Sequence, residues 1–335
     1  MKKKIIALIL CAALLVCASV TLIGCDKTEP IKIVYLGDSI AEALLGPSPV
    51  SERENYGYYA IVGRRNDYVY VNRSASGHQT KQLLDLLENP DEALNLPSHL
   101  KTADVIHVSI LGNDFLQTNL GETILSAARN DYDRIDDILE KARFNFDKIY
   151  KALRGYNQDA IIMFQTVYNP VSPETGLIRK DVRDTLETEL DIHSDQYRAL
   201  GAELLNLLNG VARDYLTAHP GAFYITDVYA EFDRIYNEDP ERGKDLIYAD
   251  WVHPSNEGHA VAADLIQEQL EELGLADKDK ALRFTKYLRI EQLSRMYSES
   301  VNLATVRKEI NAAKSCKEVT KLYFDAIRDK APSYV

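Results

Sequence analysis

The chain has 335 residues, 46% of them hydrophobic, and a formal net charge of -12. That length holds one sizeable α/β domain with a small appendage, and the acidic excess argues against a nucleic-acid partner for the bulk of the chain. A disulfide framework is excluded too, because Cys11, Cys17 and Cys25 lie in or at the end of an N-terminal leader and leave Cys316 as the sole remaining thiol.

The leader starts with Lys2, Lys3 and Lys4 and continues as an apolar stretch from Ile5 to Ile23. This is the layout of an export signal, although the stretch is also near the length of a membrane-spanning helix. Its end, Leu22-Ile23-Gly24-Cys25, resembles a bacterial lipobox. The resemblance implies cleavage before Cys25, thioether lipidation of that residue, and a protein exported and lipid-anchored to the extracytoplasmic face of the bacterial cell membrane. Residues 1–24 are therefore expected to be a lipoprotein signal peptide and 25–30 a short tether.

Apolar, β-branched runs then recur at 31–36, 68–71, 105–111, 161–167 and 223–228. Stretches with helical spacing lie between them, as at 80–87, 135–153 and 185–215. Strands alternating with helices read as a parallel sheet covered on both faces, with sites at the carboxyl ends of the strands.

The first run ends in Gly37-Asp38-Ser39 and is followed by an expected helical run over 40–45. Ser39 would then sit at a strand-to-helix turn, where free N–H groups and a positive dipole end could meet a developing oxyanion. Some two hundred residues on, Asp250-Trp251-Val252-His253-Pro254 places a carboxylate three residues before an imidazole. Asp250 could hold the ring while His253 removes the Ser39 proton. Pro254 and a cap at Ser255 or Asn256 would fix this loop at the start of a helix over 257–270. His259 is a rival base on that helix, with packing as its expected role. No His or Cys spacing of a zinc type is present, and no cofactor is expected.

Between these two segments lie Asn72-Arg73-Ser74-Ala75-Ser76-Gly77 and Gly112-Asn113-Asp114, each ending a strand-like run. In order along the chain the four segments resemble the blocks of the SGNH hydrolases, the GDSL-type esterases and lipases, over roughly residues 31 to 272. The resemblance implies a flavodoxin-like three-layer α/β/α sandwich with a parallel sheet. It implies Ser39 as nucleophile, Asp250 and His253 as acid and base, and an oxyanion hole made of the Ser39 and Gly77 N–H groups and the Asn113 amide. The third block departs from the family pattern, which has glycine two residues before the asparagine where this chain has Leu111 and then Gly112. Asp38 and Asp114 are expected to shape their turns by accepting backbone N–H groups. His78 and Tyr168 are candidates for the substrate pocket, His78 with an exposed loop position as the alternative.

From Lys278 onward the chain carries thirteen basic and seven acidic residues. Residues 276–335 read as a basic appendage of two or three amphipathic helices, following an SGNH hydrolase domain at 31–275, with Cys316 as a packing residue. Packing on the domain is its expected role, with membrane-surface contact or partner binding as the alternatives.

The expected function is a surface-anchored serine esterase acting through an acyl-Ser39 intermediate on a small-molecule or glycan ester. The five residues Asp26 to Pro30 span at most about 18 Å, which holds the domain close to the membrane with its site facing away or sideways. That geometry favours soluble esters, such as acetylated cell-wall or other sugars. The alternatives are a lysophospholipase or thioesterase, which a long apolar trench beside Ser39 would support, and a non-catalytic lipoprotein that binds a glycan or protein. A flavodoxin-like cofactor binder is disfavoured, since Asp38 stands where a phosphate would sit.

Overall fold

Five strands form one parallel sheet: β1 (Lys32–Gly37), β2 (Val69–Asn72), β3 (Val105–Ser109), β4 (Ile161–Gln165) and β5 (Tyr224–Thr226). The computed structural model describes residues 29–45 and 50–330, so the expected signal peptide and the lipidation at Cys25 lie outside the described residues. Strand order is β2-β1-β3-β4-β5, the doubly wound order in which the chain reverses direction between β1 and β3. Gly37 pairs with Ser109, and Ser109 with Gln165, so three strands end level beside that switch point.

The longer helices, in chain order, are α1 (Tyr58–Asn66), α2 (Thr80–Glu88), α3 (Asp133–Tyr156), α4 (Lys180–Glu189) and α5 (Tyr197–Ala218). They continue as α6 (Val228–Glu238), α7 (Asn256–Glu272), α8 (Lys278–Met296), α9 (Leu303–Ala312) and α10 (Cys316–Ile327). Strand side chains alternate between the two layers. Val34, Leu36, Ile106, Val108, Ile162 and Phe164 face the core under α2, α3 and α5. Ile33, Tyr35, Val105 and Met163 face the other core, under α1, α6, α7 and the last three helices. Helix α3 shows why the layers form: Ile135, Ile138, Leu139, Ala142, Phe146, Ile149 and Leu153 make one buried stripe at helical spacing. Asp133 and Asp136 lie in its first turn and Arg154 in its last, each matched to the helix dipole.

Two expected elements differ. The helical stretch over 185–215 breaks into α4 and α5, because Asp191 adopts a left-handed φ of 55° and His193 and Gln196 close a capping box before α5. The expected helix over 40–45 is a single turn, in which Glu42 N–H bonds to Asp38 and Leu44 N–H to Ser39, both at 2.9 Å. Ala43 ends it at φ 57°, a left-handed backbone that no α-helix continues through. Any dipole at Ser39 is therefore that of one turn.

The last three helices pack onto the sheet domain, and residues Ile31–Val335 form one compact unit. Asp277, Asn302 and Ser315 cap α8, α9 and α10 through their side chains. Val319, Tyr323, Phe324 and Ile327 of α10 are buried in the same core as α1 and α7. Arg65 and Asp264 make a buried ion pair at 2.6 Å between α1 and α7, and Cys316 is buried with its sulfur 3.3 Å from the Thr285 hydroxyl.

Candidate active site

The turn after β1 is built on a close approach that only glycine allows. Gly37 has φ +147°, and a Cβ there would lie 1.9 Å from the Ser109 carbonyl oxygen. The Asp38 N–H donates to that same oxygen at 3.1 Å, which seats the turn on the end of β3. Asp38 Oδ1 accepts the Ile40 N–H at 2.9 Å, lifting Ser39 to the edge of the sheet with 8% of its surface exposed. Burial pushes the Asp38 carboxyl up to about 7, against the opposing pull of the Ile40 N–H and His253.

The second loop is strapped at several points. The Tyr248 N–H bonds to the His253 carbonyl at 2.8 Å, the Trp251 N–H to the Tyr248 carbonyl at 2.9 Å, and the Ser255 N–H to the Leu246 carbonyl at 2.8 Å. Trp251 sits at φ +66°, and its ring lies against Gly176, where a Cβ would come within 2.5 Å of its indole nitrogen. Ser255 caps α7 by accepting the Gly258 N–H at 3.2 Å. Asp250 Oδ1 accepts the N–H groups of Val252 and His253, both at 3.0 Å.

These two loops meet. His253 Nε2 is 2.8 Å from Ser39 Oγ, and His253 Nδ1 is 2.7 Å from Asp250 Oδ2. Burial works to raise the Asp250 carboxyl, but the bonds from the His253 ring and the two backbone N–H groups outweigh it and hold its pKa below the usual value. A hydroxyl, an imidazole and an ionised carboxylate in line are the geometry of an activated serine. His259 is fully buried against Tyr56 and Tyr58, 5.7 and 5.9 Å away, where burial lowers its pKa to about 3. It plays no part in this line.

The remaining donors converge on the same corner. Gly77 takes φ +80°, and its N–H and that of Ser39 have no protein acceptor among the described residues. The Asn113 amide donates one hydrogen to the His78 carbonyl at 3.1 Å, leaving the second for a ligand. Asp114 ties Thr80 at its N–H (3.1 Å) and hydroxyl (2.7 Å), so it anchors the start of α2. Leu111, where the family pattern has glycine, stands at φ +108° and ψ -38° with its side chain buried. The glycine-type backbone is kept without the glycine, a strained arrangement that the packed side chain holds in place.

An apolar cavity of about 80 Å³ runs from Ser39 and Asn113 into the α5 layer. Leu116, Ile124, Val167, Ile178, Leu200 and Leu204 are among its walls. Tyr168 borders it, but its hydroxyl is committed to the Val252 carbonyl at 2.5 Å and its ring stacks on Phe232. His78 does not line this cavity; its ring is half-buried beside the Gly77 turn, and its carbonyl serves Asn113.

Glu42 is the residue the sequence did not point to. Its carboxylate accepts the Ser76 N–H at 2.7 Å and the Ser76 hydroxyl, and it pairs with Arg53. Asn72 adds a bond from its amide to the Ala41 carbonyl at 2.7 Å and accepts the Ser74 N–H at 3.0 Å. Together they pin the Gly77 loop to the Ser39 turn. A polar side chain three residues after Ser39, with no partner visible in sequence, gave no usable signal.

A flavodoxin-like sheet with a serine, an imidazole and a carboxylate aligned at the ends of its strands defines an α/β serine hydrolase. The chain belongs to the GDSL-like Lipase/Acylhydrolase family, whose model matches residues 35–261, and it is a serine ester hydrolase. Among solved structures, it resembles phospholipase A1 from Streptomyces albidoflavus at 15% identity and a TM-score of 0.51, with 72% of this chain and 99% of that one covered. The lipase Lip_vut3 from a goat rumen metagenome is similar at 17% identity and a TM-score of 0.48, over 71% and 96% of the two chains. No curated protein matches the chain. Among the described residues no group of three or more His, Cys, Asp or Glu could hold a metal ion, and no helix is long and apolar enough to cross a membrane.

Proposed function

We propose that the protein hydrolyses medium-chain acyl esters of a polar alcohol through an acyl-Ser39 intermediate, at a membrane surface to which lipidated Cys25 tethers it. The observation that carries the acyl part of this reading is the apolar cavity that opens at Ser39. Its walls are almost wholly aliphatic, Leu116, Ile124, Val167, Ile178, Leu200 and Leu204 among them, a surface that suits an alkyl chain longer than acetyl. An acetyl group would leave most of those walls without contacts, which favours an acylhydrolase over a sugar deacetylase.

In this reading His253 takes the Ser39 proton as the oxygen attacks the ester carbonyl, and Asp250 stabilises the imidazolium. The Ser39 and Gly77 N–H groups and the free Asn113 hydrogen hold the oxyanion, each such donor typically contributing about 2.7–4 kcal/mol. His253 then protonates the departing alkoxide, and a water molecule repeats the sequence to release the acid. The polar alcohol is supported by a second cleft of about 390 Å³ across the catalytic loop, which shares Pro170 and Val171 with the apolar cavity and is bordered by Tyr248, Trp251 and Lys244.

The test is hydrolysis of p-nitrophenyl esters from acetyl to palmitoyl by the protein without residues 1–25. A maximum of kcat/KM at an acyl chain well beyond acetyl supports the reading, while a monotonic fall from acetyl restores the deacetylase.

A further inference from the structure

A separate cavity of about 320 Å³ lies at the seam between the sheet domain and the C-terminal helices, bordered by Arg64, Asn256, Leu288, Arg289, Met296 and Ile327. Arg289 is 7% exposed. Its guanidinium packs over the rings of Tyr323 and Phe324, 4.5 and 5.1 Å from their centres, and Nη1 donates to Gln292 at 2.9 Å. Its Nε is buried with no partner among the described residues. Among the described residues no carboxylate pairs with it directly: Asp264 attracts it from a distance but is paired with Arg65 at 2.6 Å, and the other contact is the Tyr323 hydroxyl. Arg64, on the rim of the same cavity, donates only to the backbone carbonyls of Glu54 and Asn55.

A desolvated guanidinium with no carboxylate bonded to it is costly, and methionine or leucine would fill its place more favourably. Burial also lowers the Arg289 pKa, the direction expected of a cation short of anions. The surroundings say what the missing partner looks like. Two guanidinium groups suit a carboxylate or phosphate, which they can grip with paired N–H donors. Leu288, Met296 and Ile327 offer an apolar path out of the cavity, and Met296 is 59% exposed.

We propose that this cavity binds an amphiphilic anion, an oxyanion head on Arg289 and Arg64 with its apolar tail along Leu288, Met296 and Ile327. Asn256 carries an unpaired buried Oδ1 on the same wall, and rotating its amide presents two further donors to the head. The ligand touches the first residue of α7, three positions after His253, while sharing no wall with the cavity at Ser39.

The experiment is titration calorimetry of decanoate, octyl phosphate, octanol and inorganic phosphate into the Ser39→Ala protein, alone and combined with Arg289→Met or Arg64→Met. Decanoate and octyl phosphate should bind at the seam, that component weakening by about tenfold or more in Arg289→Met and by less in Arg64→Met. Turnover of p-nitrophenyl octanoate by Arg289→Met with an intact Ser39 should stay within about twofold. A preference between the two amphiphiles separates a fatty acid from a lipid phosphate as the source. Arg289→Met that melts no lower than its parent yet binds both amphiphiles unchanged overturns the proposal, as does inorganic phosphate binding as tightly as octyl phosphate. Should Arg289→Met fail to fold, Arg64→Met decides alone, and unchanged binding there overturns the proposal equally.

Discussion

The two faces of the sheet are built on different chemistry. Under α2, α3 and α5 the core is aliphatic and phenylalanine-rich, and it stays slack beside Ser39, where the acyl-sized cavity opens. Under α1, α7 and the C-terminal helices the sheet presents Tyr35 and His107 to Tyr58, ring to ring at 5.4–5.8 Å. His259 stands next to Tyr58, and both nitrogens of each histidine have no partner among the described residues. One face offers space for a substrate tail at Ser39, whereas the other packs rings against the sheet and keeps its cavity at the outer seam with the C-terminal helices. One sheet thus separates a layer with an opening beside the catalytic serine from a layer of rings packed directly on its strands.

The largest effects should come where the two faces meet. Ser39→Ala should lower ester hydrolysis by about 10⁴-fold or more with the melting temperature nearly unchanged, as measured by ester kinetics and calorimetry. Gly37→Ala should abolish activity and cost several kcal/mol of stability, because its Cβ would meet the Ser109 oxygen at 1.9 Å. A Gly37→Ala protein with normal kinetics would show that the turn is not seated on β3.

The contrast between the faces can then be tested on each side. On the slack face, Leu204→Phe should cut octanoyl-ester kcat/KM by about tenfold while leaving acetyl-ester turnover within about twofold. On the aromatic face, burial holds His107 and His259 neutral down to about pH 3, whereas an unfolded histidine takes up its proton below about pH 6.5. The unfolded chain then binds more protons, so stability falls as the pH drops through that window. His107→Phe should remove about 2 kcal/mol of the loss between pH 7 and pH 5, read from denaturant midpoints. Asp38 works the other way: its folded carboxyl keeps a proton to about pH 7, so its contribution is lost as the pH rises from about 4 to 7. The smallest effect is an inverted order at Leu111: Leu111→Gly should be more stable than Leu111→Ala by about 1 kcal/mol, because both lose the packed side chain but only glycine relieves φ +108°.

Sequence and structure agree most closely where the signal is local. The five strands stand out as short β-branched runs, and the order of the blocks anticipates the ends of β1, β2 and β3. Ser39, Asn113, Asp250 and His253 could be picked out because the short segments that hold them run in the order of the SGNH hydrolase blocks. What stayed hidden depends on contacts distant in sequence. Glu42 reads as an ordinary helix-surface acid until the Ser76 loop is folded against it. The bridge from Tyr168 to Val252 spans eighty-four positions. The short turn after Ser39 was masked by Ile40, Ala41, Leu44 and Leu45, whose helical spacing is cut off by the backbone of Ala43. The Leu111 strain could be suspected from a misplaced glycine, but its positive φ is a property of the folded turn.

The most direct test of the central claim is to mix the protein without residues 1–25 with p-nitrophenyl octanoate, quench in acid within milliseconds, and map the adduct by peptide mass spectrometry. The account predicts an octanoyl group on the peptide containing Ser39, formed with a burst of p-nitrophenol and absent from Ser39→Ala. Hydrolysis that proceeds without any acylated peptide, or an octanoyl group carried on another residue, would contradict it.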